Sequence, residues 1–253
     1  MSEVKIIVAA HKEYWMPSDP LYLPVQAGAA VSGVRFPYAG DNSGKNISAK
    51  NPHYCELTCL YWAWKNLEAD TLGLVHYRRY FANGRIFGAK KERILTEPEL
   101  EEKMLRSSVL LPISRNYLIE TNYSQYAHAH HAADLDLTRE IISEKHPRYL
   151  AGFDAVMQRT RGHRFNMLIM KRPVLDAYCE WLFNILFELE ERLDIGEYSQ
   201  NDARVFGFVG ERLLDVWLYP NNIAYMDIPY VFLEKQNSLL KGINFLSRKF
   251  SAK

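Results

Sequence analysis

Leu72 to Val75 is a short apolar run that leads directly into His76-Tyr77-Arg78-Arg79. Two guanidiniums and an imidazole at the end of a buried strand would make a concentrated cationic site. An Arg fork grips two phosphate oxygens at once, which a Lys ammonium does not. Fixed cations also stabilise the charge that builds on a departing nucleoside diphosphate. The structural alternative is an ion-paired cluster answering Asp70 or Glu68. A second constellation lies in the helix predicted from Gln200 to Leu218. Arg204 and Glu211 fall on one face of it, two turns apart. Gly207 and Gly210 sit in its interior, where each costs roughly 1 kcal/mol relative to Ala. That cost makes sense where the helix closes on another backbone or on a ligand. Glu211 is the candidate general base, taking a proton from an acceptor hydroxyl. A Glu211–Arg212 or Arg204–Glu211 surface pair is the structural alternative.

A third cluster holds His128, His130 and His131, followed by Asp134 and Asp136. His130 and Asp134 have metal-ligand spacing if the helix there starts early enough. Asp134-Leu135-Asp136 also has the D-x-D form that holds Mn²⁺ or Mg²⁺ in many glycosyltransferases. The same two carboxylates favour the N-terminal end of the helix that follows. Asn166, within RFNMLIM, is a buried amide that must find partners: a sugar hydroxyl or its own backbone. Cys55 and Cys59 lie four apart in a predicted helix, but two ligands without a second pair read better as buried thiols.

The elements that must position these groups alternate along the chain. Strands are predicted at Val4–Ala10, Leu72–Val75, Val109–Ile113 and Phe165–Met170. Helices are predicted at His53–Leu67, Glu97–Arg106, Leu135–Lys145, Val174–Leu193 and Gln200–Leu218. Ser199 and Asp202 have the spacing of a capping box. Pro17, Pro20 and Pro24 make Met16–Val25 an irregular connection, and AGDNSGKNISAKNP reads as a flexible loop. Alternating strands and helices imply a mixed α/β sheet flanked by helices, in one domain.

Composition sets the outer bounds. The chain has 253 residues, 48% of them hydrophobic, which is ample for one core and excludes a disordered protein. A net charge of +1 gives no global attraction to nucleic acid. Sixteen tyrosines suit a sugar site, since the ring stacks on an apolar sugar face while its hydroxyl bonds polar groups. Three cysteines fit a reducing cytosol better than a disulfide framework. The N-terminal apolar run is too short for a signal peptide, and no 18-residue apolar stretch exists to span a membrane. The basic, aromatic segment KGINFLSRKFSAK has the make-up of a membrane-surface contact or of a frayed tail.

In this order, NISAKNPHYCELTCLYWAWKN, LGLVHYRRYF, NMLIM, YCEWLFNILFELE and ARVFGFVGERL resemble a bacterial family encoded in capsular and exopolysaccharide loci. That family was long defined only as an uncharacterised domain, and it includes galactofuranosyltransferases. The resemblance runs from about Lys5 to Leu218. It implies a GT-A-like single domain with a Rossmann-like donor half over about 1–115, an acceptor and catalytic half over about 116–230, and a basic tail over 231–253. It places His11 and Lys12 beside the base and ribose of a UDP-sugar. Asn46, Ile47, Ser48 and Asn51 would close over the donor, with Glu56 and Trp64 behind them. His76, Tyr77, Arg78 and Arg79 would stand where a GT-A enzyme usually carries its metal-binding D-x-D. Positive side chains would then replace the cation, so no cofactor is expected, although the Mn²⁺ or Mg²⁺ of other GT-A enzymes sets the comparison. His130, Asn166 and Arg204 would face the acceptor, with Glu211 as the base of an inverting enzyme. The implied acceptor is a lipid-linked or oligosaccharide chain, at the inner face of the cytoplasmic membrane. Two rival functions carry their own signatures: a metal-dependent hydrolase built on His128–Asp136, and a non-catalytic sugar- or nucleotide-binding component of polysaccharide assembly.

Overall fold

A computed structural model describes residues 3–234. The segment KGINFLSRKFSAK lies outside the described residues, as does most of the predicted tail. That tail's first residues belong to the fold, because Val231 and Phe232 are in a strand.

The first strand, β1 (Val4–Ala10), is buried along almost its whole length. Its side chains alternate between two cores: Ile7 and Ala9 enter the larger, Ile6, Val8 and Ala10 the smaller. A strand covered on both faces reads as a continuous apolar run, which is why it is legible. Beside it runs β2 (Tyr22–Gln26), and outside that the two-residue β3 (Ala39–Gly40). On its other side is β4 (Thr71–His76). All three neighbouring pairings are parallel. β2 falls in a stretch expected to be irregular. Pro24 is tolerated there because Leu21 O and Ala27 N are the groups that bond β1, so by alternation the Pro24 nitrogen faces away from that ladder.

β5 (Arg79–Phe81) turns back antiparallel from β4. Next come α1 (Asn51–Tyr54) and α2 (Leu57–Asn66), where one continuous helix was expected. The break is Cys55, whose φ is 53°. α3 (Glu97–Arg106) and β6 (Val109–Pro112) match expectation closely. A two-stranded flap joins β7 (Arg115–Asn116) to β8 (Arg161–Gly162). Between them lie α4 (Asn122–Ala129), α5 (Ala132–Lys145) and α6 (Leu150–Gln158). β9 (Leu168–Lys171) is antiparallel to both β4 and β6. It begins later than predicted because Phe165 and Asn166 are left-handed, with φ of 79° and 52°. Then follow α7 (Arg172–Arg192), α8 (Val205–Asn221), β10 (Met226–Ile228) and β11 (Tyr230–Phe232).

Nine strands among the described residues form one mixed sheet, with β10-β6-β9-β4-β1-β2-β3 as its spine and β5 and β11 branching from β4. The large core lies between one face and α1, α2, α5, α6, α7 and α8. The small core lies under α3, β5 and β11. This is the expected mixed α/β sheet, flanked by helices.

Candidate active site

Because β1, β2 and β4 run parallel, their C-terminal ends open on one side, where ligands of α/β sheets bind. A cleft of about 510 Å³ lies there, walled by Ala9, His11, Ala27, His76, Tyr77 and Arg78 on the strand side. Tyr77 is its structural pivot. Its backbone N–H donates to Ala9 O at 3.2 Å, and its ring packs edge-on against His11 and Tyr14 at 5.0 and 5.1 Å. Its hydroxyl lies 3.2 Å from His11 Nε2. The Lys12 ammonium stands over the Tyr14 and Tyr77 rings. Burial, then the charges of Arg78, Lys12, Arg204 and His76, lower the pKa of His11, so its imidazole is neutral at pH 7. Arg78 donates to Glu234 at 3.2 Å, and Lys12 lies 3.9 Å from the same carboxylate. Neither pairs with Glu68 or Asp70. Arg79 is placed differently: its guanidinium lies 3.5 Å over the Phe165 ring and 5.1 Å from that of Phe232.

The opposite wall is built at the α1–α2 break and the approach to α8, by Asn51, Pro52, Cys55, Glu56, Gln200 and Arg204. The left-handed turn at Cys55 places Glu56 just ahead of α2, among the groups that line the cleft. Asn51 holds that turn by donating to Cys55 O at 2.7 Å and to Thr58 Oγ1 at 3.0 Å. Glu56 Oε1 accepts from Asn166 Nδ2 at 2.6 Å and lies 3.7 Å from His76 Nε2. His76 Nε2 in turn lies 2.7 Å from Phe165 O. A carbonyl only accepts, so this imidazole carries its proton on Nε2. Three of the non-glycine residues with positive φ, Cys55, Phe165 and Asn166, thus converge on one carboxylate. Such backbone conformations persist only where the surroundings hold them, and they cluster at functional sites. The amide oxygen of Asn166 is buried without a hydrogen-bond partner.

α8 approaches this wall closely, as its glycines suggested. A Cβ on Gly207 would lie 3.1 Å from Cys55 Sγ and 3.4 Å from Tyr54 O, and one on Gly210 would lie 2.8 Å from Leu57 Cδ1. Arg204 Nε donates to Cys55 Sγ at 3.2 Å. Burial first, then the Glu56 charge, push the Cys55 thiol up to about 12 despite Arg204. It is therefore protonated at neutral pH and no nucleophile. Glu211 is not among the cleft-lining residues. It lies 3.4 Å from Arg212 Nη1 and acts electrostatically on Arg79, Arg204 and Cys55.

Several expected residues stand elsewhere. Ser48 is buried, its hydroxyl engaged by Asp41 and by Ala30 N. It therefore shapes the loop from within. Asp41, which the sequence reading passed over, organises that loop by also accepting from Gly28 N, Ala29 N and Thr58 Oγ1. Asn46 closes a turn, donating to Gly44 O and accepting from Ser48 N. Ile47 packs on the large core, and Trp64 stacks on Phe183 in the helical layer. His130 is outside the cleft lining. It stacks on Phe208 at 4.2 Å, and its Nδ1 lies 3.1 Å from Asp202. The Arg204 guanidinium lies 5.1 Å from the same Phe208 ring, so His130 supports Arg204 from behind.

The His/Asp cluster does not converge. His128 pairs with Glu120 and His131 stacks on Tyr198. Asp134 accepts from Tyr126 and Tyr198, and Asp136 from Tyr123. Among the described residues no group of three His, Cys, Asp or Glu side chains could hold a metal ion. The D-x-D string thus does not have the donor geometry of a metal site. A cluster that sequence reasoning missed lies at the β8–β9 connection. There His163 bonds Asp215 through Nδ1 at 2.5 Å and Asp227 through Nε2 at 2.9 Å. Beside it, buried Arg164 is held by Tyr117, His163 O and Asn122. No sequence motif announces this network, because its members lie on three different elements.

Comparison with known proteins agrees with this architecture. The fold is similar to the solved apo structure of WbbM, a bifunctional glycosyltransferase, with a TM-score of 0.87 and 28% sequence identity. The match covers 92% of this chain and 46% of that one, so the chain spans about half the length of that protein. No curated protein matches the chain. The mixed, mostly parallel sheet with flanking helices is accordingly that of a GT-A-like glycosyltransferase fold. Residues 5–222 match the family described as a domain of unknown function (DUF4422), and the chain belongs to that family.

Proposed function

We propose that this protein transfers a hexose from a nucleotide sugar to a growing capsular, exopolysaccharide or O-antigen chain. The donor is UDP-linked, with galactofuranose the sugar suggested by the family resemblance. The observation that carries this reading is the cleft at the parallel strand ends. It sets Arg78 and His76 on one wall, facing Glu56 and Arg204 on the other, with Lys12 beside Arg78 on the shared Glu234 carboxylate. Base and ribose lie against Ala9, His11 and Ala27. The diphosphate takes the fork of Arg78 and Lys12, and the sugar meets Glu56 and Arg204. Glu211, outside the cleft lining itself, takes the base role that the family resemblance gives it, receiving the proton of an acceptor hydroxyl, and that oxygen forms a bond to the anomeric carbon with inversion. The bond to the diphosphate oxygen breaks, and its electron pair leaves with UDP into the cationic wall. Cationic side chains supply the charge compensation, so turnover persists in EDTA.

The test is transfer from a panel of UDP-hexoses to oligosaccharide and lipid-linked acceptors, with EDTA present, for wild type and two variants. Arg78→Ala should lower kcat/KM by roughly tenfold to a hundredfold, the loss of one charge-assisted contact of about 1.5–3 kcal/mol. Its fold should survive, since its ion pair is surface-exposed. If Arg78→Ala and Glu211→Ala both keep near-full activity, the assignment is wrong.

A further inference from the structure

One segment projects from the small-core side of the sheet, tethered at its sides while its tip is exposed. Ala82 and Ile94 pair as an antiparallel bridge, and Asn83 N donates to Arg93 O at 2.9 Å, closing a neck. Beyond the neck, Gly84 and Gly88 have φ of 89° and 99°. Only glycine adopts that conformation without strain, and the pair bends the chain so that Arg85-Ile86-Phe87 stands at the tip. Ile86 is 79% exposed and Phe87 87%. Adjacent, bulky apolar side chains presented in this way are an unusual cost for a surface in water.

What surrounds them names the partner. The loop carries Arg85, Lys90, Lys91 and Arg93 against the single carboxylate of Glu92; Arg85, though 3.7 Å from Glu99, keeps most of its side chain exposed, while the Arg93 Nε is buried. That carboxylate is engaged within the loop, accepting from Ala89 N at 3.1 Å. The Lys91 ammonium stands 4.2 Å over the ring of Trp15, itself 38% exposed. An apolar tip, a collar of cations and a Trp at its edge are the parts of an interfacial membrane contact. The tip enters the acyl boundary, the cations meet anionic headgroups, and the Trp lies at the headgroup level. A protein groove would not require the collar. We infer that the loop from Ala82 to Arg93 is a finger that seats the protein on an anionic lipid surface.

The finger is also tied to the cleft. Lys90 Nζ donates to Phe232 O at 2.6 Å and to Glu234 O at 3.1 Å. The Glu234 carboxylate reaches Arg78 and Lys12 at the cleft wall. Seating the finger therefore fixes the cleft relative to the surface, within reach of a lipid-borne substrate.

The experiment is flotation of the full chain with vesicles of phosphatidylcholine alone or mixed with phosphatidylglycerol, at low and high salt. Wild type should float with the anionic vesicles and not with the neutral ones. Ile86→Ser with Phe87→Ser should weaken that binding tenfold or more. Arg85→Gln with Lys91→Gln should weaken it by roughly twenty-five-fold at low salt, about fivefold per cation, a difference that collapses at high salt. Thermal melting of both variants should match wild type, because the altered side chains are exposed. Equal binding to neutral and anionic vesicles, no binding to either, or variants that float like wild type would each overturn the proposal. No sugar enters the assay, so its outcome is independent of the transferase reading.

Discussion

His163 gives the fold a charge that titrates. The imidazole is 3% exposed, and burial alone would lower its pKa. The hydrogen bonds and charges of Asp215 and Asp227 outweigh burial and raise it from 6.5 to about 9. At roughly 1.36 kcal/mol per pKa unit, that rise amounts to about 3 kcal/mol favouring the protonated native state. The folded pKa lies above the unfolded one. The contribution is therefore fully present below pH 6.5 and is lost as the pH rises through about 9. Replacing His163 with Asn removes this titration. The perturbation is read by urea unfolding of wild type and His163→Asn at several pH values from 6 to 10, taking the difference in unfolding free energy at each. That difference should shrink by about 3 kcal/mol from the acid to the alkaline end. A difference that stays flat with pH would refute an ionic His163. The consequence reaches the cleft, since Asp215 also accepts from His163 N at 2.8 Å. The same segment runs on to Phe165 and to Asn166, which holds Glu56.

Two further outcomes concern α8 and the carboxylate it faces. Glu211→Gln should lower kcat by roughly a hundredfold to ten-thousandfold, as for loss of a general base, whereas Glu56→Gln should chiefly raise the KM for the donor; steady-state kinetics would distinguish the roles, and the reverse pattern would exchange them. Gly207→Ala regains about 1 kcal/mol of helix propensity but drives a Cβ to 3.1 Å from Cys55 Sγ. Overpacking of about 1–3 kcal/mol should win, lowering the melting temperature.

The sequence showed most where a single physical signal dominated. β1, α3 and the buried part of β4 were legible because apolar period and length agree there. α4 was missed because its start uses Thr121 with Ser124, whose hydroxyl accepts from Thr121 N at 2.9 Å, in place of the Glu or Gln that marks a capping box. α6 was hidden by Gly152, which is required where that helix meets α8: its Cβ would lie 3.2 Å from Tyr219. β2 was masked by Pro24, which only the outward-facing side of the strand accommodates. Arg78, Tyr77 and His11 line the cleft, as their place at strand ends suggests. Glu56 was assigned only a supporting place, because its exposure to the cleft depends on a left-handed Cys55 that no propensity would suggest. Ser48 shows the opposite case. A polar residue in a Gly- and Asn-rich loop looks available, and only the buried Asp41 shows that its hydroxyl is engaged.

The cations of the cleft do not wait as bare charges. Arg78 and Lys12 share the Glu234 carboxylate, and the His76 imidazole lies beside Glu56. On the proposed function, a diphosphate entering the cleft would exchange with Glu234, its affinity being the difference between two anions on one fork. A dianionic group with several acceptor oxygens wins that exchange over a single carboxylate held at 3.2 and 3.9 Å. Arg79 lies outside it. Its Nε is buried without a hydrogen-bond partner, between two aromatic rings, and Glu211 and Glu56 are the carboxylates whose charges reach it. Aromatic faces compensate a guanidinium without consuming its donors. Arg79 is thus a fixed positive charge held by ring faces, its donors left unspent beside the cleft.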